Sequence, residues 1–173
     1  RRWTQCRGRE LELLMANQEP SPVIVWFRDD LRLSDHPALH AAAATGAPLV
    51  ALYVLDENSP ALKPPQTRQL GGAARWWLAQ SLRALDADLR KRGAQLVLRK
   101  GAATGIITGI AREIGATAVY WNDIAQAPHR AGAKQLTASW NDSGVAAEIS
   151  GGDLLVTPAA IRNKKGRGLR VFT

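Results

Sequence analysis

The strongest constraint on the fold is a regular alternation of short apolar runs with helix-forming segments. The apolar runs have the length and composition of buried strands; they are Val23–Phe27, Pro48–Leu55, Leu96–Leu98, Ala118–Trp121 and Val145–Ile149. The helical segments between them are Ala38–Ala44, Gly72–Arg92, Ala102–Ile114 and Pro128–Ser143. Strands that are separated by helices favour parallel pairing. We therefore predict an α/β fold, a doubly wound, Rossmann-like sheet of five parallel strands with helices on both faces.

A sheet of this kind predicts where a ligand would bind. Ligand sites lie at the carboxyl ends of the strands, where the strand order reverses. If the first strand is central, this crevice lies between the ends of the first and fourth strands. The residues expected to line it are Phe27, Arg28, Asp29, Asp30, Trp121, Asn122 and Asp123. The two adjacent acids could form a paired carboxylate site, but arginines flank them, and a salt-bridged structural loop is the favoured interpretation.

Common phosphate-binding and metal-binding patterns are missing from the sequence. The glycines at 101, 105 and 109 have the wrong spacing for a dinucleotide fingerprint, and no P-loop pattern occurs. His36 and His40 are four residues apart but lack a third ligand, and Pro37 places His36 at the cap of a helix. The single Cys6 excludes a disulfide framework and a metal cage of thiolates.

The net charge of +8 is concentrated at the two ends of the chain. Residues 1–14 carry +2, residues 15–160 carry +1 and residues 161–173 carry +5. A domain that tracks nucleic-acid phosphates carries its charge on a face of its body. The net charge is therefore weak evidence for a nucleic-acid partner.

Hydropathy gives no sign of a membrane or secretory protein. The longest apolar run, Leu49–Leu55, is far shorter than the roughly 18 residues of a membrane span. No pattern typical of a signal peptide precedes the first strand. We predict a soluble, cytoplasmic protein with no membrane partner, and expect a monomer.

Six ordered motifs connect the sequence to a known family. The first and most specific is VWFRDDLRLSDHPAL at residues 25–39. The others are GAARWWL (72–78), LVLRKG (96–101), AVYWN (118–122), LLVTP (154–158) and GLRVFT (168–173). Together these motifs resemble, over residues 22–173, the N-terminal antenna-chromophore domain of the DNA photolyase/cryptochrome family.

The resemblance implies a light-dependent function that is divided between two domains. Full-length members bind FAD in a C-terminal helical domain and either split pyrimidine dimers in damaged DNA or sense blue light. We expect residues 1–21 to be an N-terminal extension with a native start at Met15, residues 22–150 to be the antenna domain, and residues 151–173 to lead to an FAD-binding domain outside this chain. The tryptophans of this chain are then expected in core or interface packing, and this fragment alone is not expected to repair DNA. The basic segment from Arg162 to Arg170 would lead toward the second domain, so the resemblance implies a linker or interface segment more than a DNA-binding arm.

The antenna domain of the family holds a second chromophore, which passes absorbed energy to the flavin. In different members it is 5,10-methenyltetrahydrofolate, a deazaflavin or a flavin, and folate is the favoured expectation here. In folate-type members, an Asn followed by an acid after the fourth strand contacts the pterin, and Asn122 and Asp123 match that position. The resemblance and the crevice together predict a chromophore site formed by Asn122, Asp123, Phe27, Arg28, Asp30 and Trp121. A role of Asn122 as a polar cap at the strand end remains the alternative.

The segment after Asp123 departs from the family pattern. Many members continue with an aromatic residue and an Arg-x-Arg-Asp stretch, of which only Arg130 has a counterpart here. The departure does not affect the rest of the resemblance, and the favoured function is the antenna domain of a deoxyribodipyrimidine photo-lyase. The alternatives are a cryptochrome photoreceptor without repair activity and a stand-alone α/β binding module.

Overall fold

The computed structural model describes residues 20–57, 70–125, 127–141, 144–152, 154, 156, 160–164 and 166–168. The strands are β1 (Val23–Phe27), β2 (Leu49–Leu55), β3 (Leu96–Lys100), β4 (Ala118–Asn122) and β5 (Ala146–Ser150). The helices are α1 (Pro37–Ala44), α2 (Gly72–Arg90), α3 (Ala103–Ile114) and α4 (Ala127–Asn141). Most of the expected N-terminal extension, including Met15, lies outside the described residues, as do residues 169–173 of the last motif.

The five strands form one parallel sheet with the order β3-β2-β1-β4-β5. β1 is central, and the strand order reverses between β1 and β4. This topology confirms the predicted doubly wound sheet. Because all strands run in the same direction, their carboxyl ends share one edge, and the crevice between β1 and β4 lies at that edge.

Helices cover both faces of the sheet. Helices α3 and α4 pack on one face through Ile107, Ala111, Leu136 and Trp140. Helices α1 and α2 pack on the other through Ala42, Leu85 and Leu89. Side chains along a strand alternate between the faces, so β1 directs Ile24 and Trp26 to the α3/α4 face and Val25 and Phe27 to the α1/α2 face.

The ends of the elements differ from the sequence predictions by one or two residues. The largest difference at a strand is in β3, which continues beyond Leu98 because Val54 and Leu55 pair with Arg99 and Lys100. The side chains of Arg99 and Lys100 are exposed and charged, so this part of the strand carries no apolar pattern in the sequence. Helix α3 ends, as expected, at Gly115, whose φ of 64° is in the left-handed region that favours glycine.

The described tryptophans separate into two groups, and Trp3 lies outside the described residues. Trp26, Trp121 and Trp140 are buried in the core on the α3/α4 face, whereas Trp76 and Trp77 on α2 are 61% and 70% exposed. None of the helices in the described part of the chain is long and apolar enough to cross a membrane.

Candidate functional site

Polar side chains meet where β1 and β4 end. They come from the loop after β1, from the residue before α1, from the end of β4 and from the first turn of α4. We call the group Arg28, Asp30, His36, Asn122, Asp123, His129 and Arg130 the switch-point cluster. The residues close to α1 are hydrogen-bonded to one another and to the helix terminus, whereas those close to α4 form polar contacts between the two strand ends and the first turn of α4.

The N-terminus of α1 is capped from two directions. Pro37 occupies the first helical position and has no N–H to satisfy. The N–H of Leu39 donates to His36 Nδ1 (3.0 Å), and the N–H of Ala38 donates to Asn122 Oδ1 (2.9 Å). The expected cap role of His36 is therefore confirmed, and Asn122 attaches the end of β4 to the same helix terminus.

The amide of Asn122 is occupied at both ends by protein groups. Its Oδ1 accepts from Ala38, and its Nδ2 donates to Asp30 Oδ2 and lies 3.3 Å from His36 Nδ1. The residue is only 5% exposed. In this arrangement Asn122 acts as a polar cap that joins β4, α1 and the loop after β1.

Asp30 is held as a carboxylate between Asn122 and His36. Because His36 Nδ1 accepts a hydrogen bond, Nε2 carries the ring proton. Nε2 lies 3.1 Å from Asp30 Oδ2, a close polar contact that does not meet the geometric limits of a hydrogen bond. Burial alone would raise the pKa of Asp30, but the contacts with His36 and Asn122 outweigh it and hold the pKa below its ordinary value.

Arg28 lies between the aromatic core and the start of α4. Its guanidinium carbon is 4.8 Å from the centre of the Trp26 ring, within the range of a cation–π contact. Its Nη2 is 2.6 Å from His129 Nδ1, so this nitrogen must accept, and the His129 proton is on Nε2. Burial lowers the pKa of Arg28, while the neighbouring carboxylates oppose that shift.

Asp123 presents a partly accessible carboxylate on a fixed backbone. Its N–H donates to Ser150 O (2.9 Å), and its carbonyl is so close to Gly152 that a Cβ there would collide with it. Its Oδ2 accepts from Arg130 Nη2 (3.0 Å), and the two side chains are 31% and 39% exposed. Whereas the amide of Asn122 is buried and has protein partners at both ends, the carboxylate of Asp123 is partly exposed and can contact a ligand.

The two aromatic residues expected beside a chromophore lie on opposite faces of the sheet. Phe27 is buried on the α1/α2 face, where its ring centre is 4.9 Å from that of His36. Trp121 is buried on the α3/α4 face, 6.1 Å from Trp26 and 5.9 Å from Trp140 between ring centres. Both side chains are fully buried. The structure does not bring these two rings to a common ligand surface.

The sequence favoured a loop after β1 in which the flanking arginines form salt bridges with Asp29 and Asp30, but the observed partners of Asp30 and Arg32 differ. Asp30 contacts Asn122 and His36, whereas Arg32 donates to Asp35 O. The sequence separations explain the difference, because Asn122 is 92 residues from Asp30 and no local pattern reveals that contact.

Sequence reasoning missed two residues that lie at this edge of the sheet. His129 contacts Arg28, and Gly152 contacts the backbone of Asp123. Topology offered a signal for both, because His129 opens the helix that follows β4 and Gly152 follows β5, the neighbour of β4. The ends of these elements lie at the edge of the sheet that was already expected to hold the site.

Comparisons with known proteins show the family to which the chain belongs. The family model described as DNA photolyase matches residues 23–173. The deoxyribodipyrimidine photo-lyase of Agrobacterium fabrum is 39% identical over 153 residues, which cover 88% of this chain and 30% of that protein. Cryptochrome-1 of Arabidopsis thaliana is 33% identical over 155 residues, covering 86% of this chain and 21% of that protein.

A solved structure agrees with the sequence comparisons. The crystal structure of a bacterial class III photolyase from Agrobacterium tumefaciens matches with a TM-score of 0.80 at 39% identity, covering 90% of this chain and 31% of that one. This chain therefore spans less than a third of the length of these relatives. With the family pattern matched from β1 to residue 173 and the same fold at this identity, the chain belongs to the DNA photolyase family.

Proposed function

We propose that this chain is the antenna-chromophore-binding domain of a deoxyribodipyrimidine photo-lyase, an enzyme that splits pyrimidine dimers in DNA with blue light. The identity of 39% to a photo-lyase supports repair, and the covered third of that relative corresponds to one domain of a larger enzyme. In this proposal, FAD and the pyrimidine dimer of the damaged DNA bind the remainder of the protein. The chain described here contributes the light-harvesting site.

The observation that carries the antenna proposal is the carboxylate of Asp123 at the switch point of the sheet. The contacts with Ser150 and Gly152 fix its backbone, and the ion pair with Arg130 at 3.0 Å holds its carboxylate. A carboxylate can accept two parallel hydrogen bonds from the amino-pyrimidinone edge of a pterin. The residue therefore fits 5,10-methenyltetrahydrofolate, with a deazaflavin or a flavin as alternatives.

The other residues of the site divide into ligand contacts and supports. Arg28 and Arg130 flank the carboxylate and can face the polar edge of the chromophore. Asn122 and Asp30 position the end of β4 against α1, and the fully buried Phe27 and Trp121 support the two strand ends by packing on opposite faces of the sheet. This assignment changes the expected role of Asn122 from ligand anchor to positioning residue.

The chromophore, when bound, supplies absorption in the near ultraviolet and transfers the energy to the flavin. The task of this chain is to bind and orient that chromophore. The switch-point crevice suits this task because the groups that orient a ligand are fixed to strand ends and not to free loops.

The test removes the carboxylate in the whole protein purified with added methenyltetrahydrofolate. Losing a hydrogen bond to a charged group costs about 1.5–3 kcal/mol, or roughly ten- to a hundredfold in affinity. Asp123→Ala should therefore lose the near-ultraviolet antenna band and keep the flavin spectrum. The matched control is Asp88→Ala, which also removes one carboxylate from a surface ion pair, here with Lys91 at 2.7 Å.

Two results would change the proposal. A full antenna absorption band in Asp123→Ala would remove this residue from the site. An absorption band characteristic of a deazaflavin would identify the chromophore as a deazaflavin and not as folate. The identity of 33% to Cryptochrome-1 favours a photoreceptor as the second candidate. Incubating the flavin-loaded whole protein with dimer-containing DNA under blue light distinguishes the two, because a photoreceptor without repair activity leaves the dimers intact.

A further inference from the structure

The basic segment near the end of the chain contains a closed turn. Asn163 N–H donates to Arg167 O (2.8 Å), Gly166 N–H donates to Asn163 O (2.9 Å), and Arg167 N–H donates to Asn163 Oδ1 (3.0 Å). Gly166 has a φ of 73°, the left-handed conformation that closes such turns with glycine. We call residues 162–164 and 166–168 the basic turn.

The basic turn presents cations without neighbouring acids. Arg162, Lys164 and Arg167 are all exposed, and among the described residues none of the three has a carboxylate within 4.0 Å. On the body of the domain, Lys91 and Lys100 each contact a carboxylate at 2.7 Å, and the exposed cations without such a contact among the described residues are spread over different elements. The sequence adds no acid between 161 and 173, where the net charge is +5.

We infer that the basic turn is a contact surface for the phosphates of DNA. Three long cationic side chains on one turn form the electrostatic footprint of phosphate binding, which depends on released counterions more than on base contacts. Because the turn is closed by its own hydrogen bonds, less backbone freedom is lost when it binds. The structure thus changes the expectation of a plain linker.

The inference rests on the proposed function only in the choice of DNA as the polyanion. The domain body is almost neutral, with +1 over residues 15–160, so the turn concentrates positive charge at one place on the surface. A domain charged in this way would approach DNA with the basic turn first. The contact would be independent of sequence, because phosphates are the same at every base pair.

The experiment measures binding of this chain to fluorescent duplex DNA in the dark and without chromophore, from about 50 to 200 mM salt. The test variant combines Arg162→Ala, Lys164→Ala and Arg167→Ala. The control variant combines Arg83→Ala, Arg99→Ala and Arg112→Ala, which remove the same charge from exposed positions on α2, β3 and α3. Circular dichroism and thermal melting establish that both variants are folded.

We expect the turn variant to bind on the order of tenfold more weakly at the lowest salt and its salt slope to fall by about two to three units, while the control changes far less. Equal losses in the two variants would assign the effect to net charge and overturn the inference. Absence of DNA binding by the unsubstituted chain, or full binding by the turn variant, would also overturn it, and the latter would assign the turn to a protein contact. The antenna proposal is tested by the near-ultraviolet absorption band, so none of these DNA-binding results affects it.

Discussion

At the carboxyl ends of β1 and β4, one face of the sheet is packed with aromatic rings and the other is joined by hydrogen bonds. On the α3/α4 face, Trp26, Trp121 and Trp140 form a dry aromatic cluster. On the α1/α2 face, Asn122 donates a hydrogen bond to Asp30 and accepts one from the N–H of Ala38 at the start of α1. Consecutive residues of β4 therefore supply both kinds of contact, because neighbouring side chains on a strand point to opposite faces.

The difference teaches how one strand end can combine packing with a polar site. Aromatic packing is stabilising in proportion to buried area and tolerates small changes of direction. A buried amide has to meet each of its partners in a defined geometry, and an unmet partner is costly. The aromatic face can therefore stabilise the fold, while the polar face fixes where β4 ends relative to α1.

The aromatic face should show the largest effect on stability. Trp121→Ala should lower the free energy of unfolding by about 3–5 kcal/mol, because it leaves a large cavity between Trp26 and Trp140. Urea denaturation measures this loss. Trp121→Phe should lower the free energy of unfolding much less, because it keeps an aromatic ring and because no described acceptor lies within hydrogen-bond distance of the indole N–H.

An exposed tryptophan serves as the control for that comparison. Trp77 is 70% exposed, and Trp77→Ala should change the free energy of unfolding by no more than about 0.5 kcal/mol. Similar losses for Trp121→Ala and Trp77→Ala would show that the aromatic face is not a packed core.

The aromatic face was also the more predictable from the sequence. Alternation along β1 and β4 reveals which residues are buried, and apolar spacing reveals the helices that cover them. The polar face depends on contacts such as that between Ala38 and Asn122, which are 84 residues apart in the chain. Topology brought these ends to one edge of the sheet, but the choice of partner for each polar group follows from distances that the sequence does not contain.

Asn122 and Asp123 allow a second comparison, between a structural and an accessible polar residue. Asn122→Ala should lower the free energy of unfolding by about 2–3 kcal/mol, because Ala38 N–H and Asp30 lose a partner in a buried place. Asp123→Ala should cost no more than about 1 kcal/mol, because its ion pair with Arg130 is partly exposed. Equal costs in thermal or urea denaturation would contradict the separation into positioning residue and ligand contact.

The smallest expected effect is the acid sensitivity of the polar face. The pKa of Asp30 is below its ordinary value of 3.8 despite burial, owing to the contacts with His36 and Asn122. A carboxyl group with a lowered pKa contributes stability that is fully present above the ordinary pKa and is lost as the pH falls through the folded-state pKa. The contribution of Asp30 should therefore be constant at neutral pH and decline only below about pH 4.

Asp30→Asn tests this expectation, because it removes the titrating group and keeps a similar shape. The free energy of unfolding, measured by urea denaturation from about pH 6 to 2, should fall less steeply with acid in Asp30→Asn than in the unsubstituted chain. Asp88 on α2 is the control, since its pKa is lowered by Lys91 but its side chain is exposed, and Asp88→Asn should change the acid slope only slightly. If the acid slopes of Asp30→Asn and the unsubstituted chain coincide, the carboxylate of Asp30 does not stabilise the junction of β4 and α1, and the hydrogen bonds of Asn122 must hold that junction alone.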